Sequence, residues 1–383
     1  MKIVCFYDIE KYKNEERVFA PSTATVIDYI AHSLNRLNIP VEIVSPAETR
    51  KSAGKYPMRS EMISEGVRLT QCASNGHRNK LLRIISKIRS RLWLVRYLKK
   101  NTVNNELILS WDSPVLYEPL LIFRLLDRKK TKLLYYASEI YQEVIPLNYL
   151  KRRMEWKLFK KADMFLVSTS LLERKINKNQ RKSLVLHGTY KVNEKIAEES
   201  HDGKIHVLYA GIINSSKGSS MAVEIASYLP ECYRVHIIGY GRQDDIDALK
   251  VAIATSNENN SCKIVYDGVL LGEDYSRYLQ RCDVGICSQD LNAKYNNSSF
   301  PSKILSYMAN GLRVVSVDLE AVRTSKIGDF LFFSASDSAE DIAKAIMEID
   351  IHDEYDSRRI INELDCQFVR SFEEMLKGHV VCR

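Results

Sequence analysis

The chain has 383 residues, of which 45% are hydrophobic and 9% aromatic, and its formal net charge is +8. This length allows two domains of ordinary size, and the composition excludes a disordered or disulfide-rich secreted protein. Eight scattered cysteines without a C-x-x-C pair indicate reduced thiols in the cytosol. No apolar run reaches the roughly 18 residues of a membrane-spanning helix, and the opening apolar run is too short for a signal peptide.

Short strand-like apolar runs alternate with helical patterns along the chain. In the first half, strands are predicted near 2–7, 41–45, 66–70, 106–110, 132–136, 164–168 and 184–187. The helical patterns between them lie near 23–37, 79–100, 114–127, 149–161 and 170–178. In the second half, strands are predicted near 205–210, 233–238, 263–266, 284–287 and 313–317. Their helices lie near 218–229, 243–255, 274–281, 302–310 and 338–349.

This alternation predicts an α/β fold of parallel sheets covered by helices on both faces. The polar segment 188–203 lacks periodicity and indicates a domain junction. We therefore expect two doubly wound, Rossmann-like domains facing each other across a cleft, with ligand sites at the carboxyl ends of the strands. The predicted domains are 1–190 and 203–365, and a C-terminal helix at 366–383 would pack back on the first domain.

Charge is distributed unequally between these two parts. Residues 1–190 contain 35 Lys and Arg against 18 Asp and Glu, a net charge of +17. Residues 191–383 contain 21 against 30, a net charge of −9. This asymmetry predicts different partners for the two domains, and the basic one is suited to nucleic acid or to an anionic membrane surface.

The helical segment 78–100 contains nine basic residues and no acidic one. On a helical wheel its apolar residues form one stripe, made of Leu81, Ile84, Ile85, Ile88, Leu92 and Val95. Cations flank the stripe on both sides and include Arg83, Lys87, Arg89 and Arg96. This layout is typical of an interfacial membrane helix, and equally of a surface helix that packs its stripe on a sheet. Binding of nucleic acid is not predicted, because interleaved aromatic residues and nucleic-acid motifs are missing.

Two carboxylates follow predicted strands of the first domain: Asp112 in LSWDSP and Glu139 in YYASEIY. Both positions belong to the carboxyl edge of the predicted sheet. Glu139 is the first candidate for a base that takes the proton of a reacting hydroxyl, and Asp112 is the second. Either could instead be an acid at a helix N-terminus.

Two strand-to-helix turns of the second domain carry glycines. VLYAGIINSSKG ends a strand at Gly211 and places Lys217 before a helix, which would suit a phosphate. VHIIGYG ends the next strand at Gly241. The spacing matches neither a Walker A loop nor the dinucleotide fingerprint. A solvated loop and a tight turn remain alternatives for these segments.

The segment SSFPSKILSYMANG predicts a helix that begins at Pro301 and ends at Gly311. The N–H groups of Ser302 and Lys303 would then have no partner within the helix. Together with the helix dipole and the lysine charge, they would hold a diphosphate. Further donors precede the helix at Asn297, Ser298 and Ser299.

In combination, these motifs resemble the donor domain of GT-B-fold glycosyltransferases, with glycosyltransferase family 4 of the bacterial surface-polysaccharide type as the most similar pattern. Segments 161–176 and 184–193 are similar to the last strand of that family's first domain and to its linker. The resemblance assigns the donor and its phosphates to Gly211, Lys217, Gly241, Ser298, Ser299, Phe300, Pro301, Ser302, Lys303 and Ser306. It places the nucleotide base near the backbone of Gly268, Val269 and Leu270.

The sequence also departs from the family. Ile212 stands where the family usually has an arginine, and Ser298 and Ser306 replace two glutamates. The second of those glutamates ordinarily binds ribose, so this contact must differ here.

The resemblance implies transfer of a sugar from a UDP- or GDP-linked donor to a lipid-linked glycan, as in O-antigen or capsule synthesis. The expected reaction is retaining and uses neither a metal nor a cofactor. The expected location is cytoplasmic, peripheral at the inner face of the cell membrane. A GT-B-fold nucleotide-sugar epimerase and a non-catalytic nucleotide-sugar-binding partner of another transferase are alternatives.

Overall fold

A computed structural model describes residues 1–197, 202–214, 218–289, 291 and 294–379, and Lys217 lies outside these ranges. The chain divides into two compact units. Unit 1 contains Met1–His187 and the chain from Gln367 onward, and unit 2 contains Gly188–Cys366. The first division falls at the start of the predicted junction 188–203, and the second falls inside a long C-terminal helix.

In the described part of unit 1, an eight-stranded sheet has the order β10-β9-β8-β7-β1-β2-β5-β4. A separate antiparallel pair joins β3 to β6. The strands are β1 Lys2–Val4, β2 Val41–Ser45, β3 Lys55–Tyr56, β4 Arg59–Ser64, β5 Val67–Gln71, β6 Ser74–Asn75, β7 Leu107–Trp111, β8 Lys132–Ala137, β9 Met164–Val167 and β10 Ser183–Val185. All neighbours in the large sheet run parallel except β4, which runs antiparallel to β5.

The helices of unit 1 are α1 Pro21–Arg36, α2 Lys80–Asn101, α3 Tyr117–Leu126, α4 Tyr141–Val144, α5 Tyr149–Lys161 and α6 Ser170–Ile176, with a 3-10 helix at Glu10–Glu15. Side-chain caps start several of them, because Asn79, Asn148 and Thr169 each accept a backbone N–H of the first turn. Helices α2, α3 and α5 share one hydrophobic core with β7 and β8. They therefore cover the same face of the sheet.

Among the residues of unit 2 that the structure describes, six parallel strands have the order β13-β12-β11-β14-β15-β16. They are β11 Ile205–Ile213, β12 Tyr233–Gly241, β13 Lys263–Tyr266, β14 Val284–Cys287, β15 Arg313–Val317 and β16 Phe332–Ser334. The helices are α7 Gly218–Ile225, α8 Gln243–Asn259, α9 Gly272–Leu279, α10 Ser302–Ala309, α11 Glu320–Arg323, α12 Ala339–Met347 and α13 Ser357–Leu376, with 3-10 helices at Lys294–Asn297 and Gly328–Phe330. The prediction of two doubly wound, Rossmann-like domains is confirmed.

Some elements were not predicted from the sequence. Strand β4 is an edge strand whose side chains alternate between half-buried and exposed, so it lacks an apolar run. Strand β16 is only three residues long. Helix α13 begins at Ser357, before the predicted start at 366, and it ends in unit 1, where Phe368 lies 5.6 Å from Tyr29 of α1, measured between ring centroids.

Helix α2 is longer than the sheet that it covers. Its 22 residues span about 33 Å, whereas the five residues of β7 span about 17 Å. The last turns pack on the sheet through Leu94, Val95 and Leu98, which are buried. Because the helix leads into β7 at the amino edge of the sheet, its first half extends beyond the carboxyl edge. None of the helices in the described part of the chain has the length and apolarity needed to cross a membrane.

Candidate active site

In unit 2, the carboxyl ends of β11 and β12 are packed through glycines. Gly211 pairs with Gly239 and Ile213 pairs with Gly241 in the parallel register. A Cβ on Gly239, whose φ is +147°, would overlap with the carbonyl oxygen of Gly211, and a Cβ on Gly241 would overlap with that of Ile213. Close packing of the two strands therefore explains why residue 241, which was predicted to contact the sugar donor, is a glycine.

The Lys303 side chain lies at the end of β11. Its Nζ is 4.2 Å from the ring centroid of Tyr209, in cation–π contact. The same Nζ lies 3.3 Å from the position that a Cβ on Gly211 would occupy. The structure thus brings together two residues that the sequence assigned to donor phosphates, and a side chain at position 211 would crowd the ammonium group.

Helix α10 begins at Ser302, the start of the helical pattern predicted near 302–310. Pro301 is its N-cap rather than its first residue, and the first hydrogen bond joins Ile304 N–H to the Pro301 carbonyl at 3.1 Å. The N–H groups of Ser302 and Lys303 belong to the first turn of the helix. Phe300 and Pro301 are buried beside them.

The backbone before α10 is engaged within its own loop. The N–H groups of Ser298 and Ser299 both donate to the Tyr295 carbonyl, at 3.0 and 2.9 Å. The Ser298 side chain is fully buried. In the predicted backbone cradle at 298–302, the first two N–H groups therefore close a turn, and those of Ser302 and Lys303 lie in the first turn of α10.

A second helix N-terminus lies close to Tyr209. A Cβ on Gly218, the first residue of α7, would come within 2.5 Å of Ser288 Oγ and 2.6 Å of the Tyr209 ring. Ser288 follows β14 and is buried, and its Oγ has no hydrogen-bond partner in the part of the chain that the structure describes. Sequence reasoning did not identify Tyr209, which lies in the middle of β11, or Ser288, which directly follows β14 at a strand end where ligand contacts are expected.

Ser306 lies one turn after Lys303 on α10, hence on the same side of the helix. Its Oγ is 3.2 Å from the hydroxyl of Tyr275 on α9. Burial raises the pKa of Tyr275, which keeps this phenol neutral. Helix α9 follows a turn in which Gly268 has a φ of +73° and accepts the Gly239 N–H at 2.8 Å. This turn was predicted to contact the nucleotide base, and in it Val269 is exposed and Leu270 is half-buried.

In unit 1, Asp112 directly follows β7 and is 0% exposed. Its Oδ1 accepts the Tyr135 hydroxyl at 2.7 Å, while Oδ2 has no partner among the described residues. Burial, followed by the negative charge of Glu155, raises the pKa of Asp112 well above its usual value. The structure therefore favours a neutral, enclosed carboxyl at this position.

Glu139 follows β8 at the same edge of the sheet and is half-buried. Burial and the charge of Glu155 raise the pKa of Glu139. Glu155 of α5 is fully buried and holds the turn after Glu139, because its Oε1 accepts the Tyr141 N–H at 2.7 Å and its Oε2 accepts Gln142 Nε2 at 2.8 Å. Sequence reasoning did not identify Glu155, whose position within α5 resembles that of any charged helix residue.

The first half of α2 exposes both its charges and its apolar stripe. Arg83, Lys87, Arg89 and Arg96 are all exposed, as the membrane interpretation requires. Leu81 is 64% and Ile84 54% exposed. The rest of the stripe is exposed at Ile85, Ile88 and Leu92 and buried only at Val95. The alternative interpretation was a surface helix that packs its stripe on the sheet, and it therefore applies only to the second half of α2.

Within the described ranges, groups of three or more His, Cys, Asp or Glu arranged to hold a metal ion were not found. Among curated protein sequences, none is significantly similar to the chain. Residues 204–349 match the family model described as glycosyl transferases group 1.

Several solved structures share the fold across the whole chain. One, described as trehalose-6-phosphate from E. coli bound with UDP-2-fluoro glucose, has a TM-score of 0.69 and 10% identity, covering 100% of both chains. A UDP-forming α,α-trehalose-phosphate synthase from Burkholderia xenovorans has a TM-score of 0.67 and 10% identity over 99% of both chains. Anabaena Alr3699/HepE in complex with UDP has a TM-score of 0.66 and 12% identity over 99% of this chain and 100% of that one. The chain has the GT-B fold of glycosyltransferases, with two Rossmann-like domains.

Proposed function

We propose that the protein is a glycosyltransferase that moves a sugar from a UDP-linked donor to a hydroxyl of a lipid-linked glycan in surface-polysaccharide synthesis. The observation that carries the proposal is the position of the Lys303 ammonium beside Gly211, at strand ends where the N-termini of α7 and α10 also lie. The match of 204–349 to glycosyl transferases group 1 and the relatives solved with UDP or a UDP-sugar support a UDP-linked donor.

In this proposal, unit 2 binds the donor diphosphate. The Lys303 charge and the N–H groups of Ser302 and Lys303 stabilise the negative charge that develops on the leaving UDP. The buried Ser288 hydroxyl supplies a further donor on the α7 side. The Ser306 and Tyr275 hydroxyls are the candidates for the ribose contact that the replaced glutamate would have made.

Unit 1 then supplies the acceptor side. Glu139 takes the proton of the acceptor hydroxyl as that oxygen bonds to the anomeric carbon and the bond from that carbon to the diphosphate breaks. Asp112 is enclosed, so we assign the base role to Glu139 and regard Asp112 as part of the protein interior. We propose that the reaction retains the configuration of the anomeric carbon, which requires the acceptor oxygen to approach that carbon from the same face that UDP leaves.

The exposed first half of α2 supports an acceptor anchored in a membrane. A helix that exposes adjacent aliphatic side chains among cations, without an acidic residue, suits the boundary between acyl chains and anionic headgroups. This helix projects from the carboxyl edge that also carries Glu139. We therefore propose a peripheral position at the cytoplasmic face of the cell membrane.

The proposal is tested by incubating the protein with UDP- and GDP-sugars and with a lipid-linked glycan extract or a soluble glycan analogue. Transfer from a UDP-sugar, undiminished by EDTA and giving a product with the donor's anomeric configuration, is the expected result. Interconversion of the nucleotide sugar without an acceptor would identify an epimerase instead. Nucleotide-sugar binding without turnover would identify a non-catalytic binding partner.

A further inference from the structure

Segment 144–150, between α4 and the start of α5, exposes a second apolar surface. Tyr149 is 73% and Leu150 60% exposed, and Val144 and Ile145 are also exposed. Trp156, seven residues after Tyr149 on the same side of α5, is exposed as well. Single exposed apolar residues are ordinary, but a run of this kind on adjacent turns requires an explanation.

The exposed charged side chains of residues 144–161 are all basic, and the preceding Glu143 is half-buried and paired with Lys175. Between residues 144 and 161 the only acidic residue is Glu155, which is fully buried. The basic residues of the same stretch include Arg152, Arg153 and Lys157, which are exposed. Arg153 lies over the Tyr149 ring, 5.6 Å from its centroid. An aromatic ring with a phenolic tip beside guanidinium groups is suited to the headgroup level of a bilayer.

The position of the segment in the fold links it to α2 and to Glu139. Helix α5 leads into β9 at the amino edge of the sheet, so its first turn lies at the carboxyl edge, as the first half of α2 does. Both helices belong to the core on the same face of the sheet. Two residues of α5 stabilise the turn after Glu139: Glu155 Oε1 accepts the Tyr141 N–H at 2.7 Å, and Arg152 Nε donates to the side-chain Oε1 of Gln142 at 3.1 Å.

We propose that segment 144–150 is a second membrane-inserting element, which together with the first half of α2 seats the carboxyl edge of unit 1 on an anionic bilayer. The proposal rests on the membrane-anchored acceptor proposed above and goes beyond it, because two separated insertion points define an orientation that one helix cannot. The bilayer is the occupant that matches the observations, since exposed aliphatic and aromatic side chains are interspersed with exposed cations between residues 144 and 157.

The test uses the double variant Tyr149→Ser, Leu150→Ser in the full-length protein. Leu125→Ser is the matched control, because Leu125 is 81% exposed and lies in the last turns of α3, which lead to β8 at the opposite edge of the sheet. Partition onto phosphatidylcholine vesicles with and without phosphatidylglycerol is measured by sedimentation. Removing two large inserted side chains is expected to weaken partition about tenfold or more, whereas the control partitions like the wild type. All three proteins are expected to unfold at the same temperature, since the changed side chains are exposed.

Equal partition of the double variant and the wild type onto anionic vesicles would overturn the proposal. An equal loss in the Leu125 control would do the same, because the effect would then follow general surface hydrophobicity. A change of oligomeric state in the double variant with unchanged vesicle binding would assign the surface to a protein contact instead. Vesicle binding is measured without sugar transfer, so the two proposals can fail separately. If the double variant loses vesicle binding as expected but the wild type transfers no sugar, the proposed function is refuted and the membrane-inserting role of segment 144–150 is supported.

Discussion

Replacement of Lys303 by alanine tests the proposed donor site most directly. The Nζ of Lys303 lies over Tyr209 and beside Gly211, where a bound diphosphate would meet it. One charge pair at about 4 Å is worth roughly 4 kcal/mol at an effective dielectric constant of about 20. Desolvation of both groups offsets part of this. We expect a net loss of about 1.5–3 kcal/mol in UDP binding, the range for a hydrogen bond to a charged group.

This loss corresponds to a dissociation constant raised about 10- to 150-fold, which titration calorimetry with UDP measures. The effect should diminish at high salt, because ionic screening weakens the interaction in the wild type. The fold should tolerate the change, since the loss of the partly desolvated Tyr209 contact costs about 1–2 kcal/mol, a minor part of the stability of a domain. Lys250→Ala, at an exposed position of α8 in the same unit, is the control and should bind UDP normally. Unchanged affinity of the Lys303 variant for both UDP and GDP would refute the assignment.

The other predictions concern unit 1. Glu139→Gln should lower the transfer rate about 10²- to 10⁴-fold while leaving the dissociation constant of UDP unchanged; near-normal turnover would exclude Glu139 as the base. A base acts when deprotonated and the pKa of Glu139 is raised, so the acid limb of kcat/KM should lie above the pH expected for an ordinary glutamate. Glu155→Gln removes a neighbouring negative charge and should move that limb to lower pH, whereas an unmoved limb would show that Glu155 does not act on Glu139. Because the pKa of Asp112 is raised in the folded state, the wild type should lose stability relative to Asp112→Asn as the pH rises above about 4. In thermal denaturation the two proteins should therefore unfold at similar temperatures near pH 4, and the variant should be the more stable at pH 8. The last prediction is that a four-site glutamine variant dissociates from anionic vesicles at low salt while UDP binding persists. Equal sedimentation of the variant and the wild type would identify α2 as an ordinary surface helix. That variant changes Arg83, Lys87, Arg89 and Arg96.

The sequence alone determined the alternation of strands and helices and thus the fold class. Segments such as 41–45, 263–266 and 313–317 were predicted with the bounds that the structure has. These strands are short apolar runs between polar turns, and that pattern is local. The turn at Pro301 and Lys303 was likewise visible, because proline before a helix and glycine after it are local signals.

Only the tertiary structure decided which of these signals lie together. Lys303 meets Tyr209 and Gly211 because α10 and β11 pack at one edge of the unit 2 sheet, and no local pattern links residues so distant in the chain. The burial of Glu155 and its hydrogen bond to the turn after Glu139 were not predicted, because these residues also meet only through tertiary packing. The apolar stripe of α2 is exposed because the helix is longer than the sheet that it covers. The helical wheel showed the stripe, but it could not show which half of α2 the sheet covers. Periodicity determines which side of an element is apolar, whereas the lengths and neighbours of packed elements determine whether that side is buried.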